Sequence, residues 1–93
     1  MEVVFSRRAK TDLQDIVTYI AADDPKTARN FGDQILTVFQ SLSNNSHRGR
    51  PGRFSGTREL IVHKSYIAAY VVHENMVTIL TIRHAARLWP GSF

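Results

Sequence analysis

The apolar residues of this chain change their spacing once, between Leu42 and Thr57, and that change limits the folds open to it. They fall first at Ala9, Leu13, Ile16, Val17 and Ile20, and after a break at Ala28, Phe31, Ile35, Val38, Phe39 and Leu42. Steps of three and four put each set on one face of an α-helix. Asp12, Gln14 and Asp15 lie off the first stripe, so the first helix is amphipathic. Asp23-Asp24-Pro25 separates the two. Asp24 offers a capping oxygen, and Pro25 suits a first helical position, where its missing N–H had no intrahelical partner. So short a connection predicts an antiparallel helical hairpin.

From Thr57 the pattern is β-branched and aromatic, in runs from Thr57 to His63, Tyr66 to His73 and Met76 to Arg83. Only Lys64-Ser65 and Glu74-Asn75 separate them, which reads as tight hairpins. Leu60 and Val62 alternate with Glu59, Ile61 and His63, and Tyr66, Ala68, Tyr70 and Val72 share one face of the next strand. Val3-Val4-Phe5 predicts a further short strand, followed by Ser6 as an N-cap. The order is β-α-α-β-β-β. It predicts an α+β fold in which a helical hairpin packs on one face of a largely antiparallel four-stranded sheet. A chain of 93 residues is expected to form one domain, 1–93.

Several function classes are excluded by composition. The chain has no cysteine, which rules out disulfides, zinc–thiolate sites and thiol catalysis. No apolar run approaches the roughly 18 residues that span a bilayer, and Met1 to Phe5 is too short for a signal-peptide core. A cytoplasmic protein without membrane contact is expected. Charge is more informative. Residues 1–46 carry a net −1 and residues 47–93 a net +5, with all four histidines in the second part. Between Asp33 and Glu59 there is no acidic residue, whereas Arg48, Arg50, Arg53 and Arg58 all fall there. A field polarised in this way favours an acidic partner, either nucleic acid or an acidic protein surface.

The segment His47 to Gly56 contains Gly49, Pro51, Gly52 and Gly56 and reads as a loop that projects its arginines. It follows a helix and precedes a strand, unlike a phosphate-binding glycine loop. The guanidinium fork is its active element, able to hold phosphate or carboxylate at two points. His47, His63, His73 and His84 match no metal-ligand spacing, so neither a metal nor another cofactor is expected. As acid–base groups, His84 with Arg83 or Arg87 is the better pairing, because Arg58 and His63 are five apart and face opposite sides of a strand. Trp89, Pro90 and Phe93 add apolar area to a short tail from His84 to Phe93.

Taken in order, Ala9-x3-Leu13-x2-Ile16-x2-Tyr19-Ile20, Pro25-x2-Ala28-x2-Phe31, Gly49-Arg50-x-Gly52, Gly56-Thr57-Arg58-Glu59-Leu60, Tyr66-x3-Tyr70 and Ile79-Leu80-x-Ile82-x-His84-x2-Arg87-x-Trp89-Pro90 resemble the RelE/ParE family of bacterial toxins over nearly the whole length. The resemblance implies a small basic toxin held inactive in a hetero-oligomer by a cognate antitoxin whose C-terminal segment wraps around it. Leu13, Ile16, Tyr19, Ile20, Phe31 and Ile35 on the helical hairpin would then be its docking residues.

Two branches of the family differ in target. RelE-like members are ribosome-dependent mRNA endonucleases, and this chain lacks their lysine-rich set and has no tyrosine after Tyr70. Arg58, Arg83, His84 and Arg87 would have to serve in its place. ParE-like members act on DNA gyrase without chemistry of their own. The Gly-Thr-Arg-Glu-Leu segment and the His-Ala-Ala-Arg-x-Trp-Pro ending look more like that branch. Target contacts would come from Arg48, Arg50, Arg53, Arg58, Arg87 and Trp89. A third alternative is a basic nucleic-acid-binding module with neither activity.

Overall fold

The computed structural model of the chain describes residues 1–64 and 66–85. Its elements are β1 (Glu2–Phe5), α1 (Arg7–Asp23), α2 (Pro25–Ser41), β2 (Arg50–Pro51), β3 (Arg58–His63), β4 (Tyr66–His73) and β5 (Met76–His84). The sheet runs β1-β5-β4-β3-β2, with β1 parallel to β5 and every other pair antiparallel. Among the described residues the sheet thus has five strands where four were expected. The addition is β2, inside the segment read as loop, where Arg50 pairs with Glu59 and Pro51 with Arg58. An edge position accommodates Pro51, whose nitrogen has no hydrogen to donate.

Both helix starts are capped as the sequence indicates. The Ser6 hydroxyl oxygen accepts from the Ala9 amide at 3.0 Å. One Asp24 oxygen accepts from the amides of Lys26 (3.1 Å) and Thr27 (3.2 Å), and the other accepts from the Thr27 hydroxyl at 2.7 Å. The Thr27 hydroxyl above all, then the Thr27 amide, hold the Asp24 carboxyl below its ordinary value; burial opposes them, and the Lys26 amide adds the least.

Between the layers, Ala9, Phe31, Ile35, Phe39 and Leu42 meet Val62, Ala68, Tyr70, Val77, Ile79 and Ile82. Leu13, Ile16, Val17 and Ile20 of α1 pack at the border of this core and stay half-buried. Phe31 in this core also packs its ring 4.9 Å from that of His63 and 5.1 Å from that of Tyr66, both edge-on. Each large side chain buried this way stabilises the fold by roughly 1.5–3 kcal/mol.

β1 covers β5 only as far as Ile79, the partner of Phe5. There β5 bulges: Tyr70 opposes Ile79 and Ala69 opposes Thr81, leaving Leu80 over. The chain turns into α1 at the same point, and side chains replace the missing ladder. Ser6 donates its hydroxyl to the Leu80 carbonyl at 2.9 Å. One oxygen of Asp12 accepts from the Ile82 amide at 3.0 Å and also from the Thr81 hydroxyl. A strand edge that would otherwise bury unpaired groups is in this way closed by the first helix.

Candidate functional site

The arginine-rich connection between α2 and β3 is held from beneath by three side chains of the sheet. Tyr70, fully buried in β4, donates its hydroxyl to the Ser46 carbonyl at 2.9 Å and accepts the Gly49 amide at 2.8 Å. Arg58, half-buried at the start of β3, donates Nη1 to the carbonyls of Gly49 (2.7 Å) and His47 (3.4 Å). Its guanidinium therefore braces the loop. Only glycine fits at position 49, because a Cβ there would stand 2.8 Å from both the Tyr70 hydroxyl and the Glu59 carbonyl.

Glu59 is the third support. Its side chain is 5% exposed, yet it meets two cations. Oε1 lies 3.5 Å from Nη2 of Arg50, its cross-strand partner, and Oε2 lies 3.5 Å from Nε of Arg53. Oε2 also accepts the Arg53 amide at 2.9 Å. Both arginine side chains remain largely in solvent, at 64% and 52% exposure. The Arg48 guanidinium reaches back to the Ser41 hydroxyl at 2.8 Å. The loop is a shaped surface, with Arg48, Arg50 and Arg53 exposed on it.

The remaining expected site residues are dispersed. His84 ends β5, its ring edge-on to Tyr66 at 5.3 Å. With Arg83 it borders a cleft of about 440 Å³ that is also lined by Asp12, Asp15, Ile16, Tyr19 and Tyr66. Among the described residues, Arg83 Nε and His63 Nδ1 are buried without a hydrogen-bond partner. Arg58 aligns with Tyr70 on one side of β4, and His84 aligns with Tyr66 on the other. They are separated by roughly 13 Å along the strands and about 10 Å across them. Arg58 and His63 do not face opposite sides as expected: the bulge in β3 between Ile61 and His63 brings both onto the face of Tyr66 and Tyr70. It is distance along the strand that keeps them apart, His63 packing on Phe31 while Arg58 braces the loop. Arg87 and Trp89 lie outside the described residues. Among the described residues no group of three His, Cys, Asp or Glu side chains is placed to hold a metal ion, and no helix is long and apolar enough to cross a membrane.

On the helical hairpin, Phe31 and Ile35 have no exposed surface and pack the core. They offer nothing to a docking partner, because the sheet already covers the stripe on which they lie. Leu13, Ile16 and Ile20 are half-buried, and Tyr19 is 69% exposed. Sequence reasoning missed Leu36, which with Phe5, Leu13 and Val17 lines a shallow apolar groove bordered by Lys10 and Gln14. The available signal was that Leu36 falls off the apolar stripe of α2 and so cannot face the sheet.

Comparison with known proteins places this geometry. The family model described as "ParE toxin of type II toxin-antitoxin system, parDE" matches residues 3–89. Toxin RelE2 of Caulobacter vibrioides is 38% identical over 87 residues, covering 94% of this chain and 98% of its own length. Protein Y4kP of Sinorhizobium fredii is 39% identical over 84 residues, covering 89% and 86%. The solved structure of the "Chromosomal ParDE TA system from P. aeruginosa" superposes with a TM-score of 0.78 at 26% identity, covering 90% of this chain and 95% of that one. The model match spans nearly the whole sequence and agrees with the two-layer fold, so the chain belongs to the ParE toxin family of type II toxin–antitoxin systems.

Proposed function

We propose that this toxin acts in the cytoplasm by binding DNA gyrase and stalling its cleavage complex, and that a cognate antitoxin neutralises it by covering the helical hairpin. The reading rests above all on how the charged groups are divided. Three exposed arginines, Arg48, Arg50 and Arg53, share one braced loop, whereas the acid–base candidates Arg83 and His84 lie at the far end of the sheet. A binding inhibitor needs the first arrangement. A nuclease needs base, acid and phosphate-binding cation around one phosphate, and Arg58 stands too far from His84 to share it. The apolar groove at Leu13, Val17 and Leu36, with Tyr19 and Ile16 nearby on α1, suits an amphipathic antitoxin segment.

The test is a supercoiling assay with purified toxin, gyrase, relaxed plasmid and ATP, with and without the antitoxin. Blocked supercoiling or trapped double-strand breaks, relieved by antitoxin, is the expected result. Gyrase that works normally at toxin levels that still arrest growth would exclude it as the target.

A ribosome-dependent endonuclease is the second reading, favoured by the placement of Arg83 and His84 on one cleft. In that case His84→Gln abolishes mRNA cleavage in a folded protein. On the gyrase reading the same variant keeps its toxicity.

A further inference from the structure

Glu59 is unusual among the charged residues of this chain. It is a carboxylate buried to 5% exposure in the basic half of the molecule, placed beneath the surface on which the proposed function depends. Burying a carboxylate is costly unless it is paired and hydrogen-bonded. Three donors converge on it, two from Arg53 and one from Arg50. The two arginines take different oxygens, so one carboxylate engages both guanidinium groups at once. Cross-strand pairing fixes Arg50 opposite Glu59, and the backbone N–H of Arg53 fixes the other oxygen. Gly52 lets the loop pass this close, since a Cβ there would overlap the Thr57 hydroxyl and stand 3.3 Å from Cγ of Glu59.

Resting on the reading of the loop as the target-binding surface, we infer that Glu59 is a positioning residue: it holds Arg50 and Arg53 as one preorganised fork, and the geometry of that fork, more than the net charge of the loop, recognises the target. Arginine carries the rotamer freedom of a long side chain, and fixing it before binding removes that cost from the encounter. Glu59 also lowers the charge of the loop by one. A surface working through charge alone would be better without it, and that opposition makes the two accounts separable.

The experiment measures the intracellular toxin level that halves growth rate, with thermal melting and far-UV circular dichroism on each purified variant. Glu59→Gln keeps the size and an acceptor for the Arg53 amide while adding one unit of positive charge to the loop. Arg50→Lys with Arg53→Lys keeps the charge and removes both planar forks. Both variants are expected to need about tenfold more toxin or greater. Unchanged or increased potency in Glu59→Gln, or full potency in the double lysine variant, overturns the inference. If Glu59→Gln melts well below the unaltered protein, the double lysine variant, altered only at exposed side chains, decides alone. Arg50→Ala with Arg53→Ala serves as the reference. Full potency there removes the loop itself from the mechanism, whereas loss of potency there with potent lysine and glutamine variants leaves the loop in place and discards only the role of Glu59.

Discussion

The helix–sheet interface and the arginine loop are held together by different physics. Between the layers, stability comes from buried area: Phe31, Ile35, Phe39 and Leu42 against Val62, Tyr70, Val77 and Ile79. That attraction has no direction, tolerates small shifts and is large in sum. In the loop almost nothing apolar is buried, and its path from Ser46 to Arg53 follows hydrogen bonds to Tyr70, Arg58 and Glu59. Each is modest in net energy but strict in direction. The interface therefore determines whether the chain folds, and the loop determines what shape it presents. The two should come apart under mutation.

The interface gives the largest effect. Phe31→Ala leaves a cavity between His63, Tyr66 and the hairpin, and is expected to cost about 3–5 kcal/mol in urea denaturation. A loss below about 1 kcal/mol would mean that the core is not centred there. Next comes Asp12, which stands at the interface but acts by direction. Asp12→Ala leaves the Ile82 amide and Thr81 hydroxyl without their acceptor and is expected to cost about 2 kcal/mol. Amide exchange at Ile82 should accelerate more than at Val77, and equal acceleration would argue against a local tie.

Tyr70→Phe sharpens the contrast, because one residue serves both regions. Its ring stays in the core while the loop loses a donor and an acceptor, for about 1 kcal/mol. Exchange at Gly49 should rise and toxicity fall with the melting transition still cooperative. Toxicity at the original level would show that the braced shape is not what the target reads.

The smallest effect concerns acid. The folded-state value of Asp24 is lowered, so its stabilising contribution is present above the ordinary carboxylate value and fades as pH falls through the lowered one, where folded and unfolded chains both bind the proton. Thr27→Val removes the main cause, and the Asp24 midpoint in a carboxyl NMR titration should move up toward 3.8. A midpoint already at or above 3.8 in the unaltered protein would remove this cap from the account.

Most elements were legible because their signals are local. The stripes of α1 and α2, the Ser6 and Asp24 caps, Pro25 at the start of α2 and the break at Glu74-Asn75 each depend on near neighbours. What escaped depends on partners distant in sequence. Nothing in Arg50-Pro51 favours a strand, and β2 exists because Glu59 and Arg58 stand opposite. Asp12, off the apolar stripe, reads as solvated, and its role follows from β1 ending at Phe5, well before β5 does. Glu59 alternates with Leu60 as an outward residue should, and it is buried because the arginine loop folds over it. In the site, the clustering of arginines was legible from charge, but which of them brace and which face outward was not.

The pairing of β1 with β5 also bears on how the toxin is made. Glu2 lies beside Met76 and Phe5 beside Ile79. The first strand can therefore take its place only after a segment some seventy residues later has left the ribosome. The helical hairpin, built from near neighbours, can form on the way out, but the apolar face of α1 has no strand to cover it until β5 arrives. Synthesis thus includes an interval in which the two helices exist and the sheet beneath the arginine loop does not. A partner able to grip those helices during that interval meets the toxin before its arginine loop is braced.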